Sequence, residues 1–379
     1  MIRLLSSKDF WLSLALFLVM FVGNARAIGF PLIVFLISLL LIFYSSLRAS
    51  ILEFALLIFS SFLFVVYAIY ADIQYDYLYP FWVVSFFLGF LFSKAISERF
   101  NADPGRMLQI MAYTYLPILV IFLVGITYLS ADPRASFVFG PNMLYRIIGF
   151  LTAIIAGYFL YQRQILTGTF IILVGIFALT ATGSRASSFS ICILLILYIH
   201  ILVHKIRKYH FFSSILLIAP LLALVDLSDL RVFNFSDFFL QDSSFSDAYA
   251  RLRPYIYLIY EPDRMSLVGI QHIDFLELFA TSGFMYPHNI VLELLMFYGF
   301  FGITVSLIVL YRFFYVVIFC IRNLMSPLLI FLYSYVLASL GMMFSGDLGD
   351  NGALIGILFG LSFNNLRHNL NNEKFKNYA

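Results

Sequence analysis

Charged side chains are scarce in this sequence of 379 residues, of which only 11% are Asp, Glu, Lys or Arg. A soluble domain carries about 25% charged residues, so the composition excludes an ordinary soluble protein. Hydrophobic residues make up 63% of the chain, and apolar runs recur along nearly its whole length. This pattern is typical of an all-α polytopic membrane protein.

Cysteine is almost absent as well. The two cysteines, Cys192 and Cys320, both lie in apolar runs, which the topology below assigns near opposite membrane faces. A disulfide framework is therefore excluded, and no segment has the ligand spacing of a zinc site. The sequence also contains no P-loop. We expect no metal and no cofactor, and no nucleic acid partner, because the positive charge is distributed by membrane side rather than pooled.

About twelve apolar stretches approach the roughly 20 residues that span a bilayer as a helix. They lie near 9–24, 28–46, 51–71, 78–97, 107–129, 143–161, 165–182, 187–204, 211–226, 290–320, 326–345 and 351–365. The first also imitates a secretory signal peptide with Ala25-Arg26-Ala27 as its cleavage site, and we favour an uncleaved helix. We expect one integral membrane domain over 1–379, with a large polar loop at 227–287 between the ninth and tenth helices.

Lysine and arginine in the short loops indicate the orientation. Most of the 23 basic residues fall on the side that carries both termini: Arg3, Lys8, Arg48, Lys94, Arg99, Arg106, Arg163, Lys205, Arg207, Lys208, Arg312, Arg322, Arg367, Lys374 and Lys376. That side is therefore predicted to be cytoplasmic. The opposite side has arginines but no lysine. Five of them are interpreted as ordinary interface or loop residues: Arg26, Arg134, Arg146, Arg231 and Arg264.

A very tight turn joins the seventh and eighth spans at Thr182-Gly183-Ser184-Arg185. Gly183 supplies backbone freedom, and N–H groups at a helix start together with a guanidinium form an anion site. Alternatively, Arg185 extends to the lipid headgroups from a simple helical hairpin. Both interpretations remain open from the spacing.

The long outer loop has one candidate helix, around Arg251-Leu252-Arg253-Pro254. Pro254 is tolerated only near a helix start, which places Arg251 at or before the first turn. Arginine binds phosphate oxygens in a bidentate manner. Arg251 and Arg253 are thus candidate phosphate ligands, and solvated loop charges are the alternative.

The tenth span is preceded by Pro287-His288-Asn289, with Asn289 the expected N-cap. His288 lies at the outer boundary, where a neutral imidazole can accept a proton from a hydroxyl, although a capping role is also open. Glu293 lies one turn into the apolar run and should face protein or a water-filled cavity. Gly299 and Gly302 allow a bend or a close helix contact.

In these residues the chain resembles the superfamily of bacterial O-antigen polymerases and O-antigen ligases. The motif-bearing region is 180–302. It contains the turn Gly183-Ser184-Arg185, the loop helix with Arg251-Leu252-Arg253, and His288-Asn289 ahead of Gly299 and Gly302. About twelve spans, with the long loop after the ninth, also agree.

The resemblance implies a metal-independent glycosyltransferase of the bacterial inner membrane with a periplasmic active site. Its donor is a glycan on undecaprenyl pyrophosphate, and its partners include membrane lipid, a flippase and a chain-length regulator. The resemblance makes His288 the base for the acceptor hydroxyl and gives the pyrophosphate to Arg185 and to Arg251 or Arg253. Gly183, Ser184, Asn289 and Glu293 would support the site.

Three functions are compared. Two are enzymes that differ in the acceptor of the glycan, and the third belongs to a different class of protein. A polymerase transfers the glycan to another lipid-linked repeat unit, and a ligase transfers it to lipid A–core; the segment from Phe344 to Gly352 favours the polymerase. Asp347 and Asp350 in that segment either form a turn or contact sugar hydroxyls. A transporter of the lipid-linked oligosaccharide is a third function, but it would need ionisable residues deep inside several spans.

Overall fold

The computed structural model describes residues 7–22, 79–128, 141–182, 184, 186–205, 290–343 and 348–361, together with the single residues 55 and 260. Every secondary-structure element in these ranges is a helix, and no strand occurs among them. The α-helices are α1 (Lys8–Phe17), α2 (Tyr79–Ala102), α3 (Pro104–Tyr128), α4 (Pro141–Tyr161), α5 (Ile165–Ala181), α6 (Ser187–Lys205), α7 (Ile290–Arg322), α8 (Pro327–Leu340) and α9 (Leu348–Gly360). A π-helix at Leu18–Val22 extends α1, and a 3₁₀ turn at Gly341–Met343 follows α8.

Four segments are long and apolar enough to cross a membrane: Pro104–Gly125, Met143–Tyr161, Ser187–His204 and Gly302–Arg322. Large apolar side chains are exposed on the surface of the described bundle, including Ile121 at 69%, Leu166 at 80% and Phe177 at 67%. Because water would disfavour such a surface, its natural surroundings are lipid. The protein is therefore membrane-embedded.

Each described helix overlaps one of the spans expected from the apolar runs, and the boundaries differ by a few residues. The expected spans 28–46, 51–71 and 211–226 lie outside the described residues apart from residue 55. The loop 227–287 does so too, apart from residue 260. Its length, polarity and place between two helices remain predictions.

Helix α4 is the centre of the described bundle and packs against α3, α5, α6 and α8. Small residues bring the neighbouring backbones close, because a Cβ at Gly157 would collide with Ile330 and one at Gly175 would collide with Thr152. Of the 18-residue apolar window in α4, 94% is buried, against 33% in α7. Helix α4 is thus surrounded by protein, whereas α7 lies at the periphery.

Helices α2 and α9 form the tightest pair. A Cβ at Gly356 would overlap the Phe86 carbonyl, one at Gly89 would overlap the Ala353 carbonyl, and one at Gly360 would overlap Ser93. Small residues four apart on one helix face permit this backbone approach in membrane proteins. The short helix α9 is therefore held against α2 from Ala353 to Gly360.

Helices joined by a short connection run in opposite directions, so the bundle has two ends. One end carries the starts of α2, α4, α6 and α9 and the turn between α5 and α6. We call it the Arg146 end, after the arginine in the second turn of α4. The opposite end carries the connections α2–α3, α4–α5 and α7–α8.

Helix α7 is not the single straight span that the apolar run 290–320 predicts. Gly299 has φ 54° and ψ −133°, a conformation that interrupts the helix and that side chains with a Cβ rarely adopt. The Ser306 hydroxyl donates to the Val291 carbonyl oxygen at 3.3 Å. Residues before and after Gly299 therefore lie side by side, as a short arm (290–298) folded back on a long arm (300–322).

Candidate functional site

Most of the residues that the sequence assigns to the site fall outside the described residues. These are Gly183, Arg185, Arg251, Arg253, His288, Asn289 and Asp347. Two of the assigned residues, Ser184 and Glu293, are described, and Asp350 is described as part of the α9 backbone. The site can therefore be built from the helices that flank the assigned residues.

Glu293 lies on the short arm of α7 and is 1% exposed. Ile290 and Leu294 share its helix face and are also buried, at 0% and 2%. This face packs into protein, as expected for an ionisable residue within an apolar run. The described chain begins again at Ile290, two residues after His288. Ile290, the first described residue after His288 in the sequence, is part of this buried face.

The depth of Glu293 within the helix bundle follows from the contacts between the long arm of α7 and helix α9. Arg312 donates to the Phe359 carbonyl oxygen at 3.4 Å and lies over the Phe359 ring at 4.9 Å. The long arm and α9 run in the same direction, so equal steps back along both helices bring Asn351 level with Gly302–Ser306. That segment is the one against which the short arm packs. Glu293 and Asn351 therefore lie at about the same depth.

Arg146 is the residue that the sequence interpretation missed. It was expected to be an ordinary interface arginine, but it is 1% exposed, and its Nη1 donates to the Oδ1 atom of Asn351 at 2.8 Å. A Cβ at Gly341 would lie 2.9 Å from its Cζ atom, so the guanidinium packs directly on the 3₁₀ turn after α8. Arg146 thus joins α4, α8 and α9 at one point.

The position of Arg146 in the sequence already indicates that its side chain is buried. A charged residue in the second turn of an apolar helix has to face protein or water rather than lipid. The same argument predicted the burial of Glu293 correctly. The predicted span 143–161 places Arg146 close to the membrane boundary, whereas the side chain is fully enclosed by protein.

The turn between α5 and α6 is as tight as predicted and is held by its own hydroxyls. The Thr182 hydroxyl donates to the Leu179 carbonyl oxygen at 2.8 Å and accepts from the Ser184 N–H at 3.3 Å. The Ser187 hydroxyl and N–H both donate to the Ser184 carbonyl oxygen, at 2.6 and 3.0 Å. The N–H groups of Ser184 and Ser187 are therefore engaged within the turn, and an anion at Arg185 would need other donors.

The opposite end carries contacts of a different kind. Arg99 forms an ion pair with Asp9 at 3.2 Å, which joins α2 to α1. His200 Nδ1 and the Tyr333 hydroxyl are 2.8 Å apart and link α6 to α8. These contacts join neighbouring helices at that end of the bundle. In the described ranges, no three His, Cys, Asp or Glu side chains come together as metal ligands.

The Arg146 end thus combines a buried guanidinium, a buried carboxylate at similar depth, and the turn that contains Arg185. A donor-rich, water-poor position of this kind stabilises negative charge more strongly than water does. It suits chemistry in which an anion is bound or released. Comparison of the chain with protein-family models, with curated proteins and with solved structures finds no match.

Proposed function

We propose that this protein is an O-antigen polymerase, which transfers a growing glycan from undecaprenyl pyrophosphate to a new lipid-linked repeat unit. The observation that carries the proposal is the fold-back of α7 at Gly299. It makes the segment that follows His288 a short arm that packs on the rest of α7, and its buried carboxylate Glu293 lies at about the depth of Asn351 and its partner Arg146. The residues that the resemblance assigns to catalysis are thus connected to a buried polar region.

The proposed step is a direct displacement at the anomeric carbon of the donor. His288 takes the proton of the acceptor hydroxyl as its oxygen forms the new glycosidic bond. The bond between the anomeric carbon and the pyrophosphate oxygen breaks, and undecaprenyl pyrophosphate leaves with the electron pair. Arg185 and either Arg251 or Arg253 bind the leaving group. Their charge would lower the activation free energy of the transfer by several kcal/mol in a site that excludes water.

The charge distribution supports a periplasmic location for this site in the bacterial inner membrane. Among the described basic residues, Arg146 alone lies at the Arg146 end. The others lie at or toward the opposite end: Lys8, Lys94, Arg99, Arg106, Arg163, Lys205, Arg312 and Arg322. Basic residues favour the cytoplasmic side, which supports assigning the Arg146 end to the periplasm. A flippase would deliver the substrate there.

Transport of the lipid-linked oligosaccharide is a weaker proposal. A transporter needs polar positions along its path through the membrane. In the described helices, the buried ionisable residues Arg146 and Glu293 share one end. Arg312 lies deeper, but it is engaged with the carboxyl end of α9, where a cation is favoured. This arrangement fits a site at one membrane face better than a path between two.

Deletion of the gene followed by electrophoresis of the lipopolysaccharide tests the proposal. A polymerase mutant retains core plus one repeat unit and loses the ladder of longer chains. A ligase mutant has core without any O-units, and that result would replace the polymerase with the ligase. An unchanged ladder would reject both enzymes. The control is restoration of the ladder by the intact gene on a plasmid.

A further inference from the structure

The hydroxyl of Tyr145 is a second polar group at the Arg146 end. Tyr145 is 1% exposed, and its hydroxyl makes no hydrogen bond with any part of the chain that the structure describes. A buried hydroxyl without a partner costs about 1–3 kcal/mol. Such a hydroxyl can donate to an acceptor that is brought next to it.

Tyr145 and Arg146 approach the same point. A Cβ built on Gly341 would collide with both the Tyr145 hydroxyl and the Arg146 guanidinium. Beside a cation, the hydroxyl proton has to be donated away from the guanidinium. Both groups therefore present N–H or O–H donors to one small region, and a ligand with several acceptor oxygens matches them.

The helix next to this region favours the same ligand. Asn351, which accepts from Arg146, lies in the first turn of α9. The start of a helix carries about half a positive charge and favours anions. The guanidinium, the hydroxyl and the helix start thus act in the same direction.

We propose that Tyr145 and Arg146 bind a phosphate group of the lipid-linked substrate, as a position additional to Arg185 and the loop arginines. This inference rests on the proposed function, because it assigns the phosphate to the pyrophosphate lipid of the donor. Gly341 lies directly against both groups. The 3₁₀ turn Gly341–Met343 therefore has to shift when the ligand enters.

The phosphate of an ordinary bilayer lipid has the same chemistry, so the test separates the two sources. The full-length protein is purified in a phosphate-free detergent, and its thermal unfolding is followed while a lipid is added. The lipids are undecaprenyl pyrophosphate, undecaprenol and phosphatidylglycerol. We expect undecaprenyl pyrophosphate to raise the melting temperature of the wild type, and the other two lipids to raise it much less.

Tyr145→Phe is the decisive variant, because it removes only the hydroxyl. Without ligand its melting temperature should equal or exceed that of the wild type, since the fold does not use the hydroxyl. The undecaprenyl pyrophosphate concentration at half-maximal shift should rise about tenfold, the value of one hydrogen bond to a charged group. Arg146→Lys should raise it by at least as much.

Thr152→Val is the matched control. Thr152 lies deeper in α4, and its hydroxyl is also buried and makes no hydrogen bond within the described ranges. This variant should bind undecaprenyl pyrophosphate as the wild type does. An unchanged half-maximal concentration in Tyr145→Phe would overturn the proposal, as would a Tyr145-dependent shift of equal size with phosphatidylglycerol.

Asp350→Asn tests whether a carboxylate of α9, instead of a ligand, acts at the position formed by Tyr145 and Arg146. A loss of stability that disappears in the Arg146→Lys background, with unchanged lipid binding, would also overturn the proposal. The proposed function is judged separately by the lipopolysaccharide ladder. If the ladder is unchanged in the deletion strain while Tyr145 still controls pyrophosphate binding, the polymerase proposal fails and the phosphate position stands.

Discussion

Ser306 donates a hydrogen bond to the carbonyl oxygen of Val291 at 3.3 Å, although fifteen residues separate them in one apolar stretch of sequence. In a straight α-helix this separation corresponds to about 22 Å. The contact therefore requires the chain to reverse, and Gly299 is where it does so. As a result, the part of α7 that is long and apolar enough to cross a membrane is Gly302–Arg322, and Ile290 begins a separate short arm.

A distance measurement tests this reversal directly. Spin labels at Val291→Cys and Ser306→Cys, with Cys192 and Cys320 replaced by serine, should lie close enough to broaden the continuous-wave electron resonance spectrum. A continuous helix would give about 22 Å, before label length is added. The short distance is expected because the Ser306 hydroxyl and the Val291 carbonyl oxygen are in contact.

The matched control has the same sequence separation within the long arm. Labels at Ser306→Cys and Ile321→Cys should lie about 22 Å apart, and Ile321 is 63% exposed and accepts a label easily. If both pairs gave the same distance, α7 would be straight, and the link between His288 and the buried region would be lost.

Gly302→Ala should destabilise the protein by about 2–4 kcal/mol, because overpacking against a fixed backbone forces the helices apart. Its Cβ would overlap the carbonyl group of Leu294 on the opposite arm. Gly105→Ala is the control, since the nearest atom would be a side-chain oxygen of Asp103 at 3.9 Å. That variant should be neutral, or more stable by up to about 1 kcal/mol. Thermal unfolding in detergent measures both, and equal effects would contradict the close packing of the arms.

The sequence predicted the helices that follow from local pattern. Span boundaries at 165 and 187 agree with the starts of α5 and α6, because apolar runs with polar ends define a membrane helix almost alone. The turn at Thr182–Ser184 was also predictable from Gly183 and the short separation. These features depend on residues near one another in the chain.

The fold-back and the burial of Arg146 depend on residues that are distant in the chain. Gly299 and Gly302 were compatible with either a bend or a helix contact, and the structure uses one for each. Arg146 meets Asn351 across α4 and α9, and no periodicity in either helix indicates that pairing. Hydropathy indicates that a charged side chain is costly in a membrane, but it does not identify the residue that pairs with that side chain.

Tyr333→Phe should destabilise the protein by about 1 kcal/mol. The Tyr333 hydroxyl contacts His200 Nδ1 at 2.8 Å and the Cys320 carbonyl oxygen at 3.4 Å, and so joins α6, α7 and α8 at the end away from Arg146. Tyr311→Phe is the control, since Tyr311 is 70% exposed at the bundle surface. Chemical or thermal unfolding compares them. A loss equal to that of Tyr311→Phe would mean that the hydroxyl contributes nothing to stability.

His288→Ala should abolish chain elongation while leaving membrane insertion unchanged, because the acceptor hydroxyl loses its base. General-base catalysis contributes about 10²- to 10⁴-fold to rate, which is enough to remove the ladder of long chains. The lipopolysaccharide gel and immunoblotting of membranes measure the two properties. His272→Ala, in the same outer loop by sequence, should retain the ladder. A normal ladder in an inserted His288→Ala variant would reject the catalytic role.

Arg185→Lys distinguishes phosphate binding from contact with the lipid headgroups. Lysine keeps the positive charge but lacks the planar fork that binds two phosphate oxygens at once. If Arg185 binds the pyrophosphate, the lysine variant should lose at least about tenfold in chain elongation, the effect of one charge-assisted hydrogen bond. An arginine that only reaches the headgroups should tolerate lysine. Arg134→Lys, a substitution in another predicted outer loop, provides the control and should elongate chains normally. Equal activity in both variants would leave the turn between α5 and α6 as a structural hairpin, and the leaving group would then depend on Arg251 or Arg253.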